Sequence, residues 1–151
     1  MKILTKDNPI LRQVSKDVID FDSIKTLVND MENYLRNNKN AIGLTAVQVG
    51  QPLNVFSMKL RVKPYEGRII TLINPKVIGI SEEMIQSSEG CLSCPGIYVT
   101  IERHKEILVK YSKVNGSVIE WEFKGGDALC VQQEMDHLKG KLIIDYQEEK
   151  L

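Results

Sequence analysis

The chain has 151 residues, of which 42% are hydrophobic and 26% charged, which is the range of one globular domain with a buried core. Twenty basic side chains balance twenty acidic ones, and this excludes the electrostatic footprint of a dedicated nucleic-acid or anionic-membrane binder. The sequence shows no signal peptide and no apolar run that could span a bilayer, so we expect a cytoplasmic protein with residues 1–151 as a single domain. Three cysteines are too few for a disulfide framework.

The first predicted element is an amphipathic helix that starts near residue 22. Its apolar residues recur at helical spacing and are Ile24, Leu27, Val28, Met31, Tyr34 and Leu35. Asp22 or Ser23 is expected to cap this helix, and the polar run 37–40 is expected to end it. The apolar stripe predicts that the helix packs against the core.

The middle of the chain changes to short runs typical of β-strands. These runs are 55–56, 69–73, 77–78, 84–85, 97–101, 107–109 and 118–121. Asn115-Gly116 is a hairpin turn signal between the last two. Because strands and helices do not alternate regularly, the pattern favours an α+β fold with mostly antiparallel sheets.

A second helix is predicted after Gly125-Gly126, with Asp127 as its cap and its end near Lys139, before Gly140. Residues 142–144 are then expected to be extended. This second helix contains Gln133, Glu134 and His137, a pattern one residue away from H-E-x-x-H. In that motif two histidines one helical turn apart bind a metal, and the glutamate is the general base. Taken alone, a string this short is more often an exposed polar helix face.

Two more segments add to the pattern. One reads Glu89-Gly90-Cys91-Leu92-Ser93, and the other reads Gly43-Leu44-Thr45-Ala46-Val47-Gln48. With the helical motif, and in this order, they make the sequence resemble the peptide deformylase family from about Leu4 to Tyr146. The resemblance implies an α+β fold of mostly antiparallel sheets around a metal-bearing helix. It also implies metal-dependent hydrolysis of the formyl group from formylmethionine at the N-terminus of newly made polypeptides.

The resemblance assigns roles at the metal. Cys91 and His137 would be ligands, Gln133 stands where the family has its other histidine, and Glu134 would be the general base. The implied cofactor is a divalent metal, most often Fe2+, with Zn2+ and Ni2+ as alternatives. The side-chain amide of Gln48 and the backbone N–H of Leu92 would be donors to the developing oxyanion.

The resemblance also assigns the peptide site. Residues expected to contact the formylmethionyl peptide are Ile42, Gly43, Glu89, Leu129 and Cys130, and Arg103 is a further candidate for contact with substrate backbone. The ribosome is a candidate partner, because the substrates are newly made chains. Nothing points to direct nucleic-acid or membrane binding.

Three features leave alternatives open. A glutamine oxygen is a poorer donor to iron or zinc than imidazole, so Gln133 predicts weak metal binding, and the alternative is a degenerate, inactive deformylase homologue. Cys91-x-x-Cys94 could be a zinc or redox pair, although neither a second ligand pair nor a βαβ context is evident. Cys94 is otherwise expected to be a core residue, Cys130 a residue that packs against the pocket, and His104 a solvated surface side chain.

Overall fold

The computed structural model describes residues 1–149 and contains three α-helices and seven β-strands within that range. Helix α1 spans Lys25–Asn37, α2 spans Gly125–Leu138 and α3 spans Ile143–Glu149. The strands are β1 (Gly43–Thr45), β2 (Val55–Lys59), β3 (Ile69–Ile80), β4 (Met84–Cys91), β5 (Cys94–His104), β6 (Glu106–Ser112) and β7 (Val118–Lys124). The expected α+β class is confirmed.

The strands form two antiparallel sheets. The larger has the order β1-β2-β3-β6-β7, and the smaller is the hairpin β4-β5. The loop that contains Asn115 and Gly116 joins β6 to β7, as its turn signal predicted. Strand β3 bends through two register irregularities against β6, and this bend is where the sequence suggested two separate strands.

The central strands are covered on both faces, which explains their continuous apolar runs. Val55 of β2 and Ile73 of β3 pack with α1 in one cluster. Their neighbours Phe56 and Leu72 pack with α2 in another. Successive side chains of a strand point to opposite faces, so the sheet lies between α1 and α2. This packing fixes α2, and with it the predicted metal motif, against the sheet.

Three local predictions are corrected. Asp22 and Ser23 lie in a short 3-10 turn before α1, whose cap position is Ile24, with no side-chain cap bond. Asp127 lies inside the first turn of α2, whose cap position is Lys124. Its carboxylate accepts the N–H groups of Arg61 and Val62 at 2.7 and 3.3 Å instead of capping the helix. Residues 143–144 are helical, since Asp145 accepts the Leu142 N–H at 3.1 Å and opens α3.

Across residues 1–149, no helix is both long and apolar enough to cross a membrane.

Candidate active site

Cys91 and His137 meet where the β4-β5 hairpin packs near α2. The Cys91 Sγ lies 3.2 Å from the His137 Nε2. Two ligands of one tetrahedral ion, with bonds of about 2.3 Å to sulfur and 2.0 Å to nitrogen, would be about 3.5 Å apart. The observed separation therefore suits two donors that share one metal ion.

Gln133 lies beside this pair with its amide orientation fixed. Its Nε2 donates to Glu89 Oε1 at 3.0 Å and to the Gly90 carbonyl at 3.2 Å. Only the NH2 end of an amide can donate to two oxygen acceptors, so this assignment leaves Oε1 as the atom available to a metal. Gln133 thus offers an oxygen donor next to a thiol and an imidazole.

The donor set fits a divalent ion, with one weak position. Among the side chains that the structure describes, those of residues 1–147, no three His, Cys, Asp or Glu form a metal-binding group, so a third protein donor would come from the Gln133 amide. Two buried polar atoms, Glu134 Oε2 and His137 Nδ1, have no hydrogen-bond partner in this part of the chain. Unpaired buried polar atoms are costly, and a bound cation with its water would offset the cost at Glu134.

Burial shifts the titration of the two α2 residues in opposite directions. Burial, followed by the nearby charges of Glu89 and Asp136, raises the pKa of Glu134 to about 8. Burial lowers the pKa of His137 to about 4. His137 is therefore neutral at pH 7, which is the form that binds metals, and Glu134 can exchange a proton near neutral pH.

The pKa of the Cys91 thiol is also shifted. Contact with the Cys94 thiol, burial and the charge of Glu134 raise its pKa, in that order, while the Ser93 N–H lowers it. A divalent cation acts in the opposite direction, because it stabilises the thiolate.

A buried ion network supports the site. Arg103 donates to both carboxylate oxygens of Glu89 at 2.7 and 2.8 Å, to Asp136 at 2.7 Å and to the Tyr146 hydroxyl at 3.1 Å. Tyr146 in turn donates to Asp136 at 2.6 Å. Arg103 is 4% exposed and fully engaged, so it does not offer the substrate contact that was expected of it. It orients Glu89, which holds Gln133.

Gln48 approaches the same thiol from the 3-10 turn after β1. Its Oε1 accepts both the N–H and the hydroxyl of Thr45 at 3.0 Å. Its Nε2 therefore points the other way, toward Ser93 Oγ at 3.0 Å and Cys91 Sγ at 3.8 Å. The amide N–H groups are presented at the metal-ligand end of the site.

A cavity of about 650 Å³ opens beside these residues. It is lined by nine of the predicted site residues, namely Ile42, Gly43, Glu89, Cys91, Leu92, Leu129, Cys130, Gln133 and Glu134. Gln48 and His137 lie behind this lining and are almost fully buried. The sequence predictions missed Arg61 and Tyr98, which also line the cavity. Neither belongs to a motif, so no signal in the sequence pointed to them.

The remaining cysteines and histidine lie where packing holds them. All three cysteines have free thiols, and Cys94 is buried at the start of β5. His104 ends β5, where its Nδ1 lies 2.8 Å from the Ser81 carbonyl oxygen. His104 is half-buried and anchored there, which differs from the solvated side chain that was predicted.

Comparisons with known proteins agree with this geometry. The polypeptide deformylase family model matches residues 1–150. A peptide deformylase of Caulobacter sp. (strain K31) is 40% identical over 151 residues, covering 96% of this chain and 86% of that protein. Peptide deformylase 1 of Vibrio vulnificus (strain YJ016) is 38% identical over 147 residues, covering 97% and 85%.

Solved structures extend the similarity to the fold. The peptide deformylase of Thermotoga maritima superimposes with a TM-score of 0.87 at 37% identity, covering 95% of each chain. The class I type b peptide deformylase of Acinetobacter baumannii, crystallised with Met-Ala-Ser bound, gives a TM-score of 0.88 at 28% identity, covering 96% of each chain. These matches give no support to the alternative of an inactive homologue. The chain therefore belongs to the polypeptide deformylase family.

Proposed function

We propose that Cys91, His137 and the amide oxygen of Gln133 hold the divalent metal with which this chain removes the formyl group from N-formylmethionyl peptides. The family is metal-dependent, and its reaction is the hydrolysis of a formamide at the N-terminus of a new polypeptide. The observation that carries the assignment is the 3.2 Å approach of Cys91 Sγ to His137 Nε2 beside the fixed amide of Gln133. When bound, the metal supplies Lewis-acid activation of water and of the formyl carbonyl.

In this proposal Glu134 is the proton carrier. It takes a proton as water attacks the formyl carbon and gives it to the leaving amine. Its carboxylate is buried, and its Oε1 lies next to Gly43, where the peptide would bind. Its raised pKa, about 8, suits a group that must both accept and release a proton near neutral pH.

The oxyanion that develops on the formyl oxygen requires hydrogen-bond donors. We assign these to the Gln48 amide and the Leu92 backbone N–H. The Gln48 Nε2 already points at Cys91, because Thr45 occupies the other end of its amide. Leu92 follows Cys91 directly and lines the cavity.

The peptide is proposed to bind as an added strand on β1. Strand β1 is at the edge of its sheet and pairs there with β2, so its other edge can accept main-chain bonds. Gly43 has no side chain to block that approach. The methionine side chain would occupy the part of the cavity lined by Ile42, Leu129 and Cys130. Glu89 would act by holding Gln133, since its carboxylate is already occupied by Arg103.

We further propose Fe2+ as the metal, bound weakly because a neutral amide oxygen replaces an imidazole. Since the substrates are newly made chains, the proposed place of action is the cytoplasm, beside the ribosome.

Substitution of Co2+ for the native metal tests the ligand assignment without relying on activity. A cobalt–thiolate bond gives a near-ultraviolet charge-transfer band, which we expect in the wild type and expect Cys91→Ser to abolish. Gln133→His should raise the affinity for Co2+ measured by titration of this band, and Gln133→Ala should lower that affinity. A band that remains in Cys91→Ser, or a Co2+ affinity that is the same in the wild type and both Gln133 variants, would refute the assignment.

A further inference from the structure

We propose that Cys91 and Cys94 form a reversible disulfide when the protein meets a peroxide, so that Cys94 protects the Cys91 thiol from irreversible oxidation. The disulfide itself is independent of the proposed function; the consequence for the metal rests on Cys91 being a ligand. The pair is thus a modification site that takes hydrogen peroxide or an organic peroxide as co-reactant.

The backbone places the two cysteines opposite each other. Strands β4 and β5 are joined by the two-residue turn Leu92-Ser93, and Cys91 pairs with Cys94 across it. Cα atoms of directly paired antiparallel residues are about 4.5 to 5.5 Å apart, and their side chains point to the same face of the hairpin. Disulfides form at Cα separations of about 4.4 to 6.8 Å, so directly paired residues are within the reach of a disulfide.

The side chains are packed together as well. Cys94 belongs to the buried cluster of Leu11, Val99, Ile101, Leu142 and Ile143, and Cys91 packs against that cluster. Both cysteines line the cavity. Cys91 is half-buried, whereas Cys94 is only 1% exposed. A peroxide entering the cavity therefore meets Cys91 more readily, and Cys94 lies next to it across the turn.

The chemistry balances in two steps. The Cys91 sulfur attacks the peroxide O–O bond, giving a sulfenic acid and releasing water or an alcohol. The Cys94 sulfur then attacks the Cys91 sulfur, the S–O bond breaks, and a second water leaves as the disulfide forms. An added dithiol reverses the reaction by exchange, becoming oxidised itself. The oxidised pair has no thiolate at Cys91, so the metal loses its sulfur ligand and is released.

The experiment uses the full-length protein loaded with Zn2+, an ion that does not change oxidation state. Wild type and Cys94→Val are treated with hydrogen peroxide, and the remaining thiols are alkylated. The mass of the tryptic peptide 77–103, which contains both cysteines, is then measured by mass spectrometry. Released zinc is measured on the same samples before and after dithiothreitol. Cys94→Ser is carried in parallel in case valine alters the packing of the cluster.

In the wild type we expect a peptide that has lost two hydrogens and resists alkylation, with zinc released and then rebound after reduction. In both Cys94 variants we expect two or three oxygen atoms added at Cys91, giving the sulfinic or sulfonic acid, and no recovery of zinc binding after reduction. The proposal is overturned if wild-type Cys91 gains oxygen without a disulfide, or if the Cys94 variants recover as fully as the wild type. Neither the peptide mass nor the zinc release requires deformylase activity, so both results can be read even if the protein is not a deformylase.

Discussion

Gln133 changes the site in chemistry more than in shape. Its Nε2 bonds Glu89 and the Gly90 carbonyl, so the side chain is fixed by the protein before any metal arrives. This preorganisation reduces the entropy lost on binding, which partly offsets the weaker donor strength of an amide oxygen. The proposed ligand set therefore predicts a metal that binds and functions, but dissociates more readily than from a histidine site.

Substitution of Glu134 is the sharpest single-residue test of the catalytic assignment. Glu134→Gln keeps the size of the side chain and cannot carry a proton, so we expect activity to fall by about 100- to 10,000-fold. Metal content should stay at the wild-type level, because Glu134 is not a proposed ligand. Formate release and metal content measured together check this, and a fully active variant would remove Glu134 from the mechanism.

The same residue predicts how the stability of the metal-free protein depends on pH. Glu134 has a folded-state pKa of about 8 against an ordinary value of 4.5, so the folded state binds its proton more tightly than the unfolded state does. This contribution to stability is complete below about pH 4.5 and is lost as the pH rises toward 8. With a chelator present, Glu134→Gln should therefore raise the urea midpoint more at pH 8 than at pH 5. An equal gain at both values would contradict the shift.

At the scale of elements, the site depends on a close approach between β1 and α2. A Cβ built at Gly43 would lie 2.6 Å from Glu134 Oε1 and 3.0 Å from Cys130 Sγ. Gly43→Ala should displace the Glu134 carboxylate and lower kcat by about 100-fold, while the protein still folds. Gly79→Ala is the matched control, because its Cβ would lie 3.3 Å from the Leu108 Cβ and Gly79 is not in the cavity lining. Equal losses in both variants would contradict the argument.

The Arg103 network joins β4, β5, α2 and α3 through buried charges. Arg103→Met would leave Glu89 and Asp136 without their cation, and we expect a loss of about 3–5 kcal/mol in the free energy of unfolding. The control is Lys25→Met, which breaks the exposed pair with Asp22 and should leave the urea midpoint unchanged. If Arg103→Met also unfolded at the wild-type midpoint, the network would not be structural.

For the whole molecule, local patterns predicted the elements and missed what depends on pairing between distant segments. The α+β class, helices α1 and α2 and most strands were predicted from local patterns of apolar, turn and capping residues. The three-residue strand β1 was not predicted, because it is defined by its register against β2. The role of Arg103 and the orientation of Gln133 were not predictable either, since both depend on Glu89 of β4 meeting other elements.

Most of the proposed site residues were predicted from three motifs, because each motif is one continuous segment of the chain. The cavity then unites nine of them. The strand register that places Cys91 opposite Cys94 was not predictable, and neither was the position of Arg61, which lines the cavity from the loop after β2.

The most direct measurement of the whole account is formate release from formyl-Met-Ala-Ser by protein purified without oxygen, assayed before and after Fe2+ is added, with bound metal determined on the same sample. We expect turnover that rises with iron content and is lost in Glu134→Gln at equal iron content. The proposed function would be contradicted by a wild-type protein that binds iron and releases no formate, or by turnover that does not change with iron content.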